Sequence, residues 1–109
     1  MNVLVDHRHY RVKPGTLQPH LDLYEKYGFT PQTRHLGAPH AYLYTESGEI
    51  NSVIHLWVYQ DAADRAKKRA AMAADPEWQE YLRRNGEAGY LIEQRTNLML
   101  PATFAPIKR

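Results

Sequence analysis

The run Val53-Ile54-His55-Leu56-Trp57-Val58-Tyr59 places an imidazole between bulky neighbours. Imidazole is the side chain whose ordinary pKa lies nearest neutrality, so a His55 shielded from water is the natural general base of this chain. Extended backbone turns alternate side chains to one face, which groups His55 with Trp57 and Tyr59 and, upstream, Arg8 with Asp6 and Tyr10. Joined by Tyr42 and Tyr44, the two sets are expected to line a common interior. In it His55 is catalytic, and Arg8, Tyr10, Tyr42, Tyr44, Trp57 and Tyr59 bind a ligand. Arg8 can pair with Asp6, Glu46 or Glu93 and hold an anionic substrate oxygen. Each residue also has a structural reading: an ion pair that sets register for Arg8, and a core histidine hydrogen-bonded across a dimer for His55.

Other chemistry is sparse. His7 and His9 have the i, i+2 spacing that presents two imidazoles on one strand face, but two ligands are not a metal site and no HExxH or carboxylate-histidine run supplies the rest, so no metal is expected. A solvated or helix-facing pair is the plainer reading. Trp78, behind Asp75-Pro76, reads as a packing anchor, and the eight tyrosines as interfacial packing with hydroxyls at the rim. No glycine-rich phosphate loop, nucleophile elbow or Ser/His/Asp spacing occurs.

A chain of 109 residues is expected to form one domain over residues 1–109, with a single core. The absence of cysteine removes disulfides, thiolate metal sites and cysteine nucleophiles. No basic segment followed by an apolar run opens the sequence, and no apolar stretch nears the roughly 20 residues of a membrane span, so a cytoplasmic protein without membrane contact is expected. The formal charge is only +2, and the basic group Arg65, Lys67, Lys68 and Arg69 reads as a solvated helix face or, more sharply, an anion patch. Nucleic-acid binding would want a broader basic stripe and is not expected.

The elements that must position these residues follow from periodicity. Val3 to Val12 reads as a first strand ending at Pro14-Gly15. Thr16 is a plausible cap for a helix of about three turns carrying Leu17, Leu21 and Tyr24 and stopped by Gly28, with Pro31 and His35 to Pro39 breaking any continuation. Ala41 to Glu46 is a short second strand, Ser47-Gly48-Glu49 a hairpin-like connection, and Ile50 to Tyr59 a third strand. At Asp61 the period lengthens, and Asp61 with Asp64 resembles a capping box. The ridge Ala62, Ala66, Ala70 and Ala73 suits close approach to a sheet. Asp75-Pro76 opens another helix through Trp78 and Leu82 that ends near Asn85-Gly86, and Gly89 to Leu100 is the last strand.

The order βαββαβ most economically forms an antiparallel sheet with strand order 4-1-3-2 and helices on one face, an α+β, ferredoxin-like arrangement. Neither face of the third strand reads as freely solvated, and the helices can cover one only. A second copy on the open sheet face is therefore expected, giving a homodimer.

The segments His55-Leu56-Trp57, Ala63-Asp64-Arg65-Ala66, Arg69-Ala70-Ala71 and Ala74-Asp75-Pro76-Glu77-Trp78 resemble the NIPSNAP family. So do Arg8 and Tyr10 before Pro14-Gly15, Thr45-Glu46 before Gly48, Asn51, and Pro101 with Phe104. The likeness runs nearly end to end and implies a ferredoxin-like domain assembling as a dimeric α/β barrel, in the broad group of small cofactor-free monooxygenases and stress-responsive barrel proteins. It implies neither an established activity nor catalytic residues. Animal members are associated with mitochondria and vesicles, whereas this chain reads as a bare, bacterial-type single domain. The expected function is binding of a small molecule in the barrel, without a cofactor. The alternatives are a non-catalytic dimeric interaction module and a monooxygenase-like or isomerase-like enzyme.

Overall fold

Alternation of apolar and polar residues sets four strands in the computed structural model, which describes residues 3–107; the first two and last two positions of the expected domain lie outside it. They are β1 (Leu4–Val12), β2 (Ala41–Tyr44), β3 (Ser52–Tyr59) and β4 (Leu91–Met99). All pairings are antiparallel and the order is β2-β3-β1-β4, with the expected strands in the centre. The helices α1 (Leu17–Leu23), α2 (Phe29–Leu36), α3 (Ala62–Ala73) and α4 (Pro76–Ala88) cover one face, giving an α+β, ferredoxin-like sandwich of two layers.

Local chemistry explains the boundaries. Asp61 caps α3 by accepting from the Asp64 N–H at 2.8 Å, and the Asp64 carboxylate returns to the Gln60 N–H at 2.9 Å. Asp75 caps α4 by accepting from the Glu77 N–H, with Pro76 in the first turn. That helix runs past Asn85-Gly86 and ends at Gly89, whose φ of +65° is a left-handed cap. Thr16 makes no side-chain cap; its hydroxyl donates to the Lys13 carbonyl instead.

Three further expectations are corrected. Gly28 does not stop the first helix: a π turn, Tyr24–Gly28, carries the chain into α2. Pro31 is tolerated because it falls in the first turn beyond that widened segment, where a missing N–H costs little. Gly28 is there for close packing, since a Cβ would sit 2.7 Å from Tyr24 Cδ1 and 3.0 Å from Tyr81 Cδ1. The alanine ridge of α3 faces solvent; buried Met72 and the half-buried Arg65, Lys68 and Arg69 lie on the other side. Long basic side chains cover apolar surface with their stems while their heads find partners, so this stripe replaces the expected solvated face. The Arg65 guanidinium donates to fully buried Asp6 at 2.9 Å, tying α3 to β1.

The third correction concerns sheet faces. Side chains directly opposite in an antiparallel pair share a face, so Arg8, His55 and Tyr42, which stand in one row across β1, β3 and β2, point the same way. The parity grouping matches this, but the face is the one under the helices rather than the interior of a sheet-to-sheet barrel. Trp57 and Tyr59 are buried there with Leu36 of α2 and Met72 of α3. Aromatic side chains that large need a full layer of partners, which the helices supply. The opposite face carries His7, His9, Ile54, Leu56 and half-exposed Leu43 and Met99. There His9 Nδ1 lies 3.2 Å from Arg95 Nη2, and among the described residues no three histidine or carboxylate side chains converge on a metal position.

Candidate functional site

The row Tyr42, His55, Arg8 and the neighbouring Tyr10 build the centre of the helix-covered face. The His55 ring stacks on Tyr42 with centroids 4.6 Å apart, and Tyr42 stacks in turn on Tyr24 of the π turn at 5.0 Å. Tyr10 meets His55 edge-on at 4.8 Å, and Tyr81 meets Tyr24 the same way at 5.7 Å. This column of parallel rings, braced by perpendicular ones, runs from the helix layer down to the sheet. Edge-to-face and offset contacts add about 0.5–1.5 kcal/mol per pair beyond area burial, so the column is a rigid structure.

A cavity of about 60 Å³ opens beside it, lined by His55, Tyr10, Tyr42, Tyr24, Gln32, Tyr81, Asn85 and Gln94 among others. The Tyr24 hydroxyl donates to Gln32 Oε1. Arg8 Nε donates to the Tyr10 oxygen at 2.9 Å, leaving the Tyr10 proton to donate elsewhere. Arg8 also lies 3.5 Å from Asp6, so among its possible carboxylate partners the structure selects Asp6, which Arg65 shares. Two of the lining residues, His55 and Asn85, each carry a buried polar atom, Nε2 and Oδ1 respectively, without a hydrogen-bond partner among the described residues.

The chemistry of His55 follows from one contact. The Trp57 indole N–H donates to His55 Nδ1 at 2.7 Å. An indole nitrogen can only donate, so Nδ1 carries the lone pair and a neutral ring carries its proton on Nε2. Burial pushes the pKa of His55 down to about 3, with Arg8, His20 and His7 adding to the effect, so the ring is neutral at physiological pH. His55 therefore offers the cavity an N–H donor, while the lone pair that a general base needs is already engaged. The residue expected as a base is built as a donor.

The other candidates divide. Tyr10, Tyr42 and His55 meet at the cavity. Trp57 stands behind His55 as its hydrogen-bond donor, and Arg8 orients Tyr10. Tyr59 lies deeper in the core, under Lys68, and Tyr44 is 58 % exposed near the sheet edge and joins nothing here. Tyr24, Gln32, Tyr81 and Asn85 are not among the site residues expected from sequence. Gln32 was hidden by taking Pro31 as a helix stop. Tyr81 stands three residues after Trp78, a spacing that places the two on one helical face and so could have found it.

The NIPSNAP family profile matches residues 5–106. The chain belongs to the NIPSNAP family. Human NipSnap homolog 3A is 34 % identical over 83 residues, which make up 72 % of this chain and 31 % of that protein. Human NipSnap homolog 3B is 37 % identical over 65 residues, 60 % of this chain and 26 % of that one. This NIPSNAP chain thus spans about a third of the length of the curated relatives it matches. Among solved structures, a NIPSNAP family protein from Agrobacterium tumefaciens superposes with a TM-score of 0.88 at 32 % identity, covering 97 % of this chain and 94 % of that one. A NIPSNAP-like domain protein from Burkholderia xenovorans gives 0.87 at 37 % identity, covering 96 % and 90 %. A Nitrosomonas europaea protein named for antibiotic biosynthesis monooxygenases gives 0.66 at 8 % identity, covering 95 % and 94 %, a likeness of fold alone.

Proposed function

We propose that this NIPSNAP chain acts as a cytoplasmic homodimer, each protomer holding an uncharged, hydrogen-bond-accepting group of a small molecule against His55. The observation that carries the binding role is the Nε2–H of His55, buried in a residue only 2 % exposed and left without an acceptor. An unmade hydrogen bond at such a group costs about 1–3 kcal/mol, which a carbonyl or similar oxygen would recover. A cavity of about 60 Å³ admits only a few atoms, so the acceptor is a small molecule or the terminal group of a larger one.

Assembly through the open sheet face is supported by shape. The Cα trace measures 41 × 36 × 18 Å, two layers and no more, and its radius of gyration of 14.5 Å exceeds the roughly 13 Å of a compact chain this long. Leu43 and Met99 are left half-exposed on that face. The cytoplasm is the proposed compartment, with which a chain that needs no disulfide to fold is compatible. Among the described residues no helix is long and apolar enough to cross a membrane.

The test is a thermal-shift and NMR screen of small carbonyl compounds against the wild type and the His55→Gln and His55→Leu variants, with sedimentation analysis of each. A ligand that moves the His55 Nε2–H resonance and loses its thermal shift in His55→Leu supports binding. A second reading, a non-catalytic interaction module, is favoured by the small cavity volume. It takes over if a bound water holds the Nε2–H, no compound displaces it, and both variants lose only stability. A monomer at micromolar concentration removes the assembly.

A further inference from the structure

The basic stripe of α3 lies over the end of β3. Arg65 and Arg69 stand one helical turn apart on the same side of that helix, and both are half-buried. Beneath them Tyr59 is only 1 % exposed, and its hydroxyl is buried without a hydrogen-bond partner among the described residues. Lys68 stands over the same ring, its Nζ 6.0 Å from the centroid. Burial raises the pKa of Tyr59 and Asp6 adds to the rise, while the charges of Arg69 and Arg65 oppose it, as befits a phenol with all three side chains around it.

Charge in this cluster does not balance. Lys68 is matched by Asp64, but fully buried Asp6 serves both Arg8 and Arg65. Arg69 forms no ion pair among the described residues. Three guanidinium groups thus share one carboxylate, which leaves a surplus of two positive charges. Charges withdrawn from water need counter-charges, and a buried phenol O–H needs an acceptor. A tetrahedral oxyanion answers both, since its oxygens take forked guanidinium N–H bonds and a hydroxyl proton together. A phosphate group, free or as a monoester, carries about two negative charges at neutral pH and so matches the surplus.

We propose that Arg65, Arg69 and the Tyr59 hydroxyl bind a dianionic phosphate group between α3 and the end of β3. Asp6 takes the Arg65 Nε–H at 2.9 Å, which leaves the terminal N–H bonds of that guanidinium for the ligand. The site uses none of the residues that line the His55 cavity, and it stands whether or not that cavity takes a ligand.

The probes are inorganic phosphate, methyl phosphate and the monoanionic diester dimethyl phosphate, titrated into the full chain at constant ionic strength set with potassium chloride and followed by arginine side-chain NMR. Inorganic phosphate should shift the Nε–H resonances of Arg65 and Arg69 and bind about tenfold more tightly than the diester. Equal binding of methyl phosphate supports a monoester as the natural source, and binding of inorganic phosphate alone supports the free ion. Arg69→Gln should weaken phosphate about tenfold without lowering the melting temperature of the free protein, since it removes an unmatched charge. Tyr59→Phe keeps the ring and should weaken phosphate about fivefold. Lys67→Gln makes the same charge change at an exposed position of the same helix and should leave affinity within about twofold. Arginine resonances unmoved by phosphate, equal affinity for the diester, full affinity in Tyr59→Phe, or equal weakening by Arg69→Gln and Lys67→Gln would overturn the proposal.

Discussion

Trp57 donates its indole N–H to Nδ1 of His55 two residues away on the same strand face, at 2.7 Å. A pair of alternate residues thereby decides which end of the imidazole meets the cavity. Imidazole nitrogen NMR should show a neutral ring protonated on Nε2 across the physiological range. Trp57→Phe should release the lone pair, mix the two tautomers and cost on the order of 2 kcal/mol from the lost hydrogen bond and burial.

Acidification should destabilise the fold before its carboxylates titrate. Burial lowers the pKa of His55 from 6.5 to about 3 and lowers that of His20 as well. Between these values the unfolded chain binds protons that the folded chain refuses, so stability is fully present above pH 6.5 and is lost as pH falls toward 3. By pH 5 the His55 share of the loss should reach roughly 2 kcal/mol. Chemical denaturation at pH 7 and pH 5 measures it, and His55→Gln should flatten the slope by about one proton. Asp75 and Glu80, both held near 2 by hydrogen bonds to their partners, add their own losses only at lower pH.

Asp6 is fully buried and serves both Arg8 and Arg65. Asp6→Asn should therefore cost about 3–5 kcal/mol, because it leaves two guanidinium groups without their counter-charge in the layer between α3 and β1. Replacing Arg65 alone should cost less, as Arg8 still neutralises the carboxylate. Denaturant melts of both variants rank them, and equal losses would show that the carboxylate depends on Arg65 alone.

Gly28→Ala should destabilise by roughly 1–3 kcal/mol through overpacking, since its φ is negative and leaves no backbone strain to blame. The added methyl meets the Tyr24 and Tyr81 rings. A shift of Tyr24 should also disturb the Tyr42 and His55 stack, readable as ring-current changes at His55 that a surface glycine substitution such as Gly86→Ala does not produce.

Period-two alternation in β1 and β3, the Asp61 and Asp75 caps and the connection around Gly48 were legible because each depends on residues a few positions apart. From them follow the βαββαβ order, the sheet topology and the grouping of Arg8 and Tyr10 with Tyr42, His55 and Trp57. Which face the helices would cover was not legible, since both sides of β3 carry large apolar residues and periodicity assigns no side to a layer. The helix through Pro31 was equally hidden: a π turn is set by how Tyr24, Gly28 and Tyr81 pack, and Tyr81 is distant in sequence. The role of His55 belongs to the tertiary structure as well. Sequence determined that an imidazole would lie in the sheet; burial removed its charge, and the direction of the Trp57 N–H chose which nitrogen keeps the proton.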